Sequence, residues 1–393
     1  MKWTPESRLR WTLRFAGIGF ISSILLSWTL WTSQRDYPLF PVAEWLPQFA
    51  PSASVLVAMA SVGLLIWFVI HPRASSALTC LGMFFLLAIQ DQSRWQPWAY
   101  QYALMLLPIV VLRIGKDERS VLGLLQFIVM MVYLWGGIHK CQSGWLSVWE
   151  NSLLAPILSE AKDGIIDSAM LGFGYLIPPV EILMALGLIF RCTRLPAIVA
   201  IIVTHLVILA LLGPVKGYIS NSVVWPWNLV MVGMTVCLFY KEDLYFSRAV
   251  RSTRWLPVSV PLILLMAVCP ALFYFSLWDR YLSFSLYAGQ QKRFLVQVPA
   301  EALPHIPEAW TTYLVDPRAS DGHKILTPGT WSSKELNVPL ISEWRILREF
   351  SRALCAEDLG GSSLRFYVDH RHLPNKPKQI FECDQIDQMG IQD

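Results

Sequence analysis

The chain has 393 residues, 54% of them hydrophobic and only 15% charged, with a formal net charge of +4. That balance describes a polytopic membrane protein rather than a soluble one, and the basic excess is spread through loops instead of forming one patch, which argues against a nucleic-acid partner. Seven cysteines with no CxxC pair give no support to a thioredoxin-type dithiol or a zinc ribbon.

Apolar runs long enough to cross hydrocarbon are expected near 12–31, 53–70, 76–90, 98–112, 121–138, 168–190, 195–213, 223–240 and 257–277, about nine transmembrane helices in all. The first begins with basic residues like a signal peptide, but Ser27-Trp28-Thr29-Leu30-Trp31 offers no small-residue cleavage site, so it reads as a retained helix. One set of loops carries Lys2, Arg8, Arg10, Arg14, Arg73, Arg113, Lys116, Arg119, Arg191, Arg194, Lys241, Arg248, Arg251 and Arg254; the other carries only Arg35, Arg94, Lys140, Lys162 and Lys216. Basic residues beside helix ends resist translocation, which puts the amino terminus in the cytoplasm and everything after Leu277 outside, in the periplasm if the cell is bacterial.

Between the third and fourth runs, Gln90-Asp91-Gln92-Ser93-Arg94-Trp95-Gln96-Pro97-Trp98-Ala99-Tyr100-Gln101-Tyr102 is dense in hydrogen-bonding and aromatic groups. Asp91 and Arg94 make a loop ion pair or a binding site. Gln96 and Gln101 have no purpose facing lipid and are expected to line a polar cavity open to the outside. The fifth run ends in His139-Lys140 where the helix should meet water, so Lys140 is a candidate reactive amine or a lysine snorkelling to the interface. Trp145 and Trp149 follow at helical spacing, with Glu150 behind them, as in a segment lying along the membrane surface.

In the sixth run Pro178-Pro179 are expected to break the helix just before Glu181. Glu181 and His205 lie at similar distances from the turn Arg191-Cys192-Thr193-Arg194, so at about 1.5 Å per helical residue they reach the same depth and are expected to pair. The pair is either a packing device or a substrate or proton site. Trp225-Pro226-Trp227-Asn228 suits an interfacial helix start, with Asn228 as its cap.

From Trp278 to Asp393 no run could span a bilayer, which divides the chain into a transmembrane bundle, 1–277, and a small extracytoplasmic domain, 278–393, of α+β or β-rich type. Tyr281 to Gln290 and Phe294 to Pro299 read as a hairpin, Leu340 to Glu357 as a helix, and Leu364 to Val368 and Gln379 to Cys383 as strands. Cys355 and Cys383 both fall in this domain, where a disulfide is permitted. His370 and His372 share a strand face with too few further ligands for a metal site, and no metal is expected.

The string Tyr133-Leu134-Trp135-Gly136-Gly137-Ile138-His139-Lys140, followed by Trp145, resembles the aromatic, glycine, lysine and tryptophan segment of the vitamin K-dependent γ-glutamyl carboxylase family and its HTTM relatives. His205 and then Trp225-Pro226-Trp227 resemble the later helix histidine and aromatic-proline-aromatic motif of that family. The resemblance implies a site at the outer face where a neutral lysine amine, at Lys140, deprotonates a reduced, vitamin K-like quinone, with His205 in the site and Glu181 at an acidic helix position. Two departures stand out: Ala88-Ile89-Gln90-Asp91-Gln92 lacks the histidine expected of an earlier helix, and the external tail is shorter than the lumenal region of the carboxylase. The expectation is therefore a related membrane oxidoreductase or lyase acting on a quinone or another lipid-soluble molecule. Lys140 is its general base, His139 and His205 handle protons, and Glu181, Asp91, Arg94, Gln96, Gln101, Trp225 and Trp227 contact substrate. The alternatives are a non-catalytic membrane partner whose external domain binds another protein, and a proton-coupled transporter using Glu181 and His205.

Overall fold

A computed structural model describes residues 3–115, 117–150, 164–213, 221–289, 291–317, 322–370 and 377–390. Lys2, Arg113, Lys116, Lys162, Lys216 and His372 have side chains outside the described set. Each of the nine apolar runs falls on a helix among the described residues: α1 Pro5–Leu26, α2 Pro51–Ile70, α3 Ala74–Gln90, α4 Pro97–Gly115, α5 Glu118–Lys140, α6 Gly164–Gly187, α7 Arg191–Leu212, α8 Val224–Phe239 and α9 Leu256–Phe275. Five of them, α1, α2, α5, α7 and α9, are long and apolar enough to cross a membrane, and α3, α8 and the stretch Gly172–Gly187 of α6 are shorter apolar helices. The protein is a multi-pass integral membrane protein.

Burial orders the bundle. The apolar window of α5 is 72% buried against 28% for α2, α7 and α9, so α5 is the central post and the others turn a side to lipid. Leu56 and Met59 on α2, Leu176 and Leu183 on α6 and Val199 and Leu206 on α7 are exposed, as an apolar solvent requires. Gly137 is what lets α6 lie close against α5: a Cβ there would come within 2.9 Å of the Pro178 carbonyl oxygen and 2.8 Å of Ile182 Cγ1.

Pro178 and Pro179 do not break α6, which runs on through them to Gly187. Pro178 lacks the N–H that would bond the Gly174 carbonyl one turn earlier, and the Trp145 indole takes its place, donating to Gly174 at 2.8 Å. Gly174 also has no Cβ to obstruct the Trp149 ring, whose Cδ1 would lie 2.4 Å from one. Trp145 and Trp149 are therefore buried wedges against α6, on and just after the short helix Ser143–Val148, rather than surface anchors.

After α9 the chain enters its C-terminal domain, called external because it lies beyond the last apolar helix, an antiparallel sheet in the order β2-β3-β1-β4-β5, with β1 Arg293–Val298, β2 Leu314–Val315, β3 Lys324–Leu326, β4 Arg365–Asp369 and β5 Gln379–Glu382. Phe294, Val296 and Val298 alternate onto one buried face with Phe366 and Val368, and α10, Trp344–Cys355, covers it with Ile346, Leu347, Phe350 and Leu354. The domain is α+β. Cys355 at the end of α10 is disulfide-bonded to Cys383 just beyond β5.

The hairpin expected over 281–299 does not form, because β1 is flanked by β3 and β4 and its register has no place for Tyr281 to Gln290. Residues 281–289 instead begin with a 3₁₀ turn, Tyr281–Ser283, and Phe284, Tyr287 and Gly289 have φ of 59°, 58° and 81°, incompatible with a strand. Their start is fixed by Arg345 bonding Asp279 and by the Arg280 N–H donating to Glu343.

The domain sits directly on the bundle. Glu335 accepts the backbone N–H groups of Asp36 and Tyr37, Asn337 donates to the Leu26 carbonyl, and Arg345 donates to Gln92. Tyr37 and Phe40, from the loop after α1, pack against Trp331 and Phe350 and so complete the core of the external domain.

Candidate functional site

The backbone of α5 and α6 places two charges face to face. Gly136 and Gly137 clear the side of α5 nearest α6, and Lys140, one turn later, reaches back along that face. Its Nζ lies 2.6 Å from Glu181 Oε2 and donates to the Gly136 carbonyl at 3.3 Å. A Cβ on Gly136 would stand 3.4 Å from Glu181 Oε2, so the missing side chain leaves room for the pair. The Trp145 ring lies 5.6 Å from the ammonium, adding a cation–π contact. The two side chains are 13% and 11% exposed, and both open on one cavity.

That cavity, of about 290 Å³, is lined by α5, α6, α7 and α8. Its second polar element is a relay of three side chains. Tyr133 Oη lies 2.7 Å from His205 Nε2, Asn228 Oδ1 lies 2.6 Å from His205 Nδ1, and Asn228 Nδ2 donates to the Val224 carbonyl. Because the carboxamide oxygen can only accept, Nδ1 carries a proton, and when the ring is neutral Nε2 accepts from the tyrosine hydroxyl. The remaining wall is apolar and aromatic, with Val132, Val203, Val207, Ile208, Met231 and Trp227 prominent.

The roof comes from the linker to the external domain: Phe284, Leu286 and Tyr287 close the cavity at the end nearest that domain. Gly289 seats the linker, since a Cβ there would strike the Gly144 carbonyl oxygen at 2.0 Å and its φ of 81° favours glycine. Burial pushes the Tyr287 phenol up to about 12, against the bond donated by Asn221, so the roof presents a neutral hydroxyl.

No family model, curated protein or solved structure matches this chain.

Of the residues singled out in the sequence, Lys140, Trp145, Trp149, Glu181, His205 and Trp227 meet at the cavity. Glu181 and His205 share its wall but are not hydrogen-bonded to each other: Lys140 takes the carboxylate, and Tyr133 and Asn228 take the imidazole. His139 faces away, as it must one residue from Lys140 on a helix turning about 100° per residue. It is buried against Trp135, Phe273 and Tyr274, 5.3 Å between ring centres in each case. Trp225 likewise turns from the cavity and donates to the Leu212 carbonyl at 2.5 Å. Gln101 stands behind the wall, holding Trp227 through its indole N–H at 2.9 Å.

Asp91, Arg94 and Gln96 belong to a separate buried knot. Asp91 binds Arg35 at 2.6 Å with both side chains fully buried, and Arg94 donates to the carbonyls of Leu30 and Leu87. Burial lowers the Arg94 guanidinium to about 10, opposed by Asp91, which leaves it charged at neutral pH. Gln96 donates to the Ser93 carbonyl. This knot fixes the loops on which the external domain rests. His370 is buried beside Trp344, and among the described residues no group of three His, Cys, Asp or Glu side chains is placed to hold a metal ion.

Tyr133 and Asn228 are the site residues that sequence reasoning missed as such. Tyr133 sits two turns before Lys140, on the same face by helical spacing, which is the signal that could have found it.

Proposed function

We propose that the cavity is the active site of a membrane oxidoreductase or lyase that removes a proton from a lipid-soluble substrate, with Lys140 as the general base. One observation carries this reading: a lysine amine held against a carboxylate at 2.6 Å, within a largely apolar cavity inside the helix bundle. The short contact gives the lysine proton somewhere to go. Transfer from Lys140 Nζ to Glu181 Oε2 leaves a neutral amine with a free electron pair on the cavity side and a neutral acid behind it. The amine then accepts a proton from an acidic O–H or C–H of the substrate and becomes an ammonium, which stabilises the anion it has made. His205, held in one tautomer by Asn228 and linked to the Tyr133 hydroxyl, is the second proton-handling group.

A reduced quinone fits this set of groups: the aromatic and aliphatic walls suit a flat apolar ring, and Lys140 and His205 suit its hydroxyl groups. When bound, it would supply an acidic hydroxyl and reducing electrons. The segments resembling the γ-glutamyl carboxylase family contribute Lys140, His205 and Trp227 to the cavity, which supports kinship of chemistry with that family. We place the amino terminus in the cytoplasm and the external domain outside, a topology supported by the loop charges and by a disulfide that a reducing cytosol would not favour.

The test is mass spectrometry of small molecules that co-purify with wild type, Lys140→Ala and His205→Ala, all shown to be folded. A quinone or a single lipid species retained by wild type and lost from the variants is the expected result, followed by loss of its turnover in Lys140→Arg. The same nonspecific lipid profile in all three proteins, or full turnover in Lys140→Arg, overturns the proposal.

A further inference from the structure

Resting on that reading of the cavity, we infer that its substrate is a long-chain amphiphile loaded sideways from the bilayer between α6 and α7. Its compact head enters the cavity while its chain stays among the lipids. Three observations converge on this.

The first is the shape of the gap. α6 and α7 meet near their common turn, where a Cβ on Gly187 would lie 2.9 Å from Ala197 Cβ, and at the other end Trp149 fills the space beside Ile177 and Leu211. Between those contacts the cavity reaches the side of the bundle past Val203 and Val207, one turn apart on α7. Both line the cavity, yet they are 53% and 49% exposed, so the same side chains touch the interior and the lipid. The second is the roof. Among the described residues Phe284, Leu286 and Tyr287 stand across the path from the external domain, and the first two are buried. The third is size. About 290 Å³ lies at the bottom of the range of about 300–1,000 Å³ for small-molecule pockets, room for a ring-sized head but not for a long chain as well. Val203 and Val207 are then the residues that set which chain can pass.

Thiol accessibility tests the path without knowledge of the substrate. Cys80, Cys141, Cys192, Cys237 and Cys269 are replaced, Cys355 and Cys383 are kept, and Val132→Cys places a reporter inside the cavity. The protein is reconstituted in vesicles of phosphatidylethanolamine and phosphatidylglycerol and treated with N-dodecylmaleimide or with a charged methanethiosulfonate. The membrane-soluble reagent is expected to modify the reporter and the charged one to spare it. Val207→Trp slows dodecylmaleimide by about tenfold, a barrier rise of about 1.4 kcal/mol, and Val203→Trp does the same. Leu183→Trp, at a position just as lipid-exposed on α6 but outside the cavity, leaves the rate unchanged. Modification by the charged reagent at a comparable rate, or no effect of either tryptophan in protein that still melts cooperatively, overturns sideways loading. The base chemistry stands or falls separately, on turnover by Lys140→Arg.

Discussion

Replacing Lys140 by Met leaves the Glu181 carboxylate facing an apolar cavity with nothing to balance it. At 2.6 Å and an effective dielectric constant of 20, the pair attracts by about 6 kcal/mol before the cost of desolvating both ions is subtracted. Its side chains are nearly buried, so the relevant comparison is with buried pairs, where removing one partner costs about 3–5 kcal/mol. We expect about 3 kcal/mol, at the low end, since a carboxylate with this much exposure can recruit water or take up a proton. Glu181→Met should cost a similar amount by stranding the ammonium. The double variant, in which neither charge remains, should cost little more than either single one, giving a coupling energy of about 3 kcal/mol. Titrated unfolding of the four proteins in mixed micelles measures the cycle. Two single variants that each lose under about 1 kcal/mol and add in the double would refute the claim that this is a desolvated pair, and the general-base reading would lose its physical basis.

Three further outcomes follow from the packing. Trp145→Phe should lose about 1–3 kcal/mol by stranding the Gly174 carbonyl, and most of that loss should vanish in a Pro178→Ala background, where α6 regains its own N–H donor; the same unfolding titration reads both. Thiol counting on unfolded, unreduced protein should give five reactive cysteines and seven after reduction, and Cys355→Ser should lower the stability of the external domain by about 3–4 kcal/mol, as closing a chain separation of 28 predicts. In intact cells an impermeant maleimide should label exposed Cys141 and spare exposed Cys192 until the membrane is opened; the reverse pattern would invert the topology.

The helices were legible because an apolar run of spanning length has few other readings, and α10 because its apolar residues repeat at helical spacing. Direction around each helix was harder. Depth arithmetic placed Glu181 and His205 at one level, and both line one cavity, but a count of residues along two helices says nothing of what the third helix brings, and α5 brings Lys140 to one and Tyr133 to the other. Gly136-Gly137 held the missing information, since adjacent glycines in a membrane helix mark where a neighbour approaches. The string from Gln90 to Tyr102 misled for a related reason. Polar density reads alike in a cavity wall and in a buried knot, and what decides is the distant Arg35 and Arg345 that claim Asp91 and Gln92. In residues 281–289 aromatic, strand-like composition was overridden by the backbone turns that carry Phe284 and Tyr287 into the roof.

The contacts of Tyr37 and Phe40 with Trp331 and Phe350 set an order of events during biosynthesis. The loop after α1 is made among the first segments, but the side chains that bury it are joined to the chain some 300 residues later. At about 5–20 residues per second, the loop waits roughly 15 to 60 seconds with two aromatic rings uncovered. Through that interval the helices can already be in the membrane while the surface on which the external domain folds still lacks the domain. A chain stopped early is then more than a shortened protein: it is a bundle displaying an unfinished core, the kind of exposed apolar surface that quality control recognises.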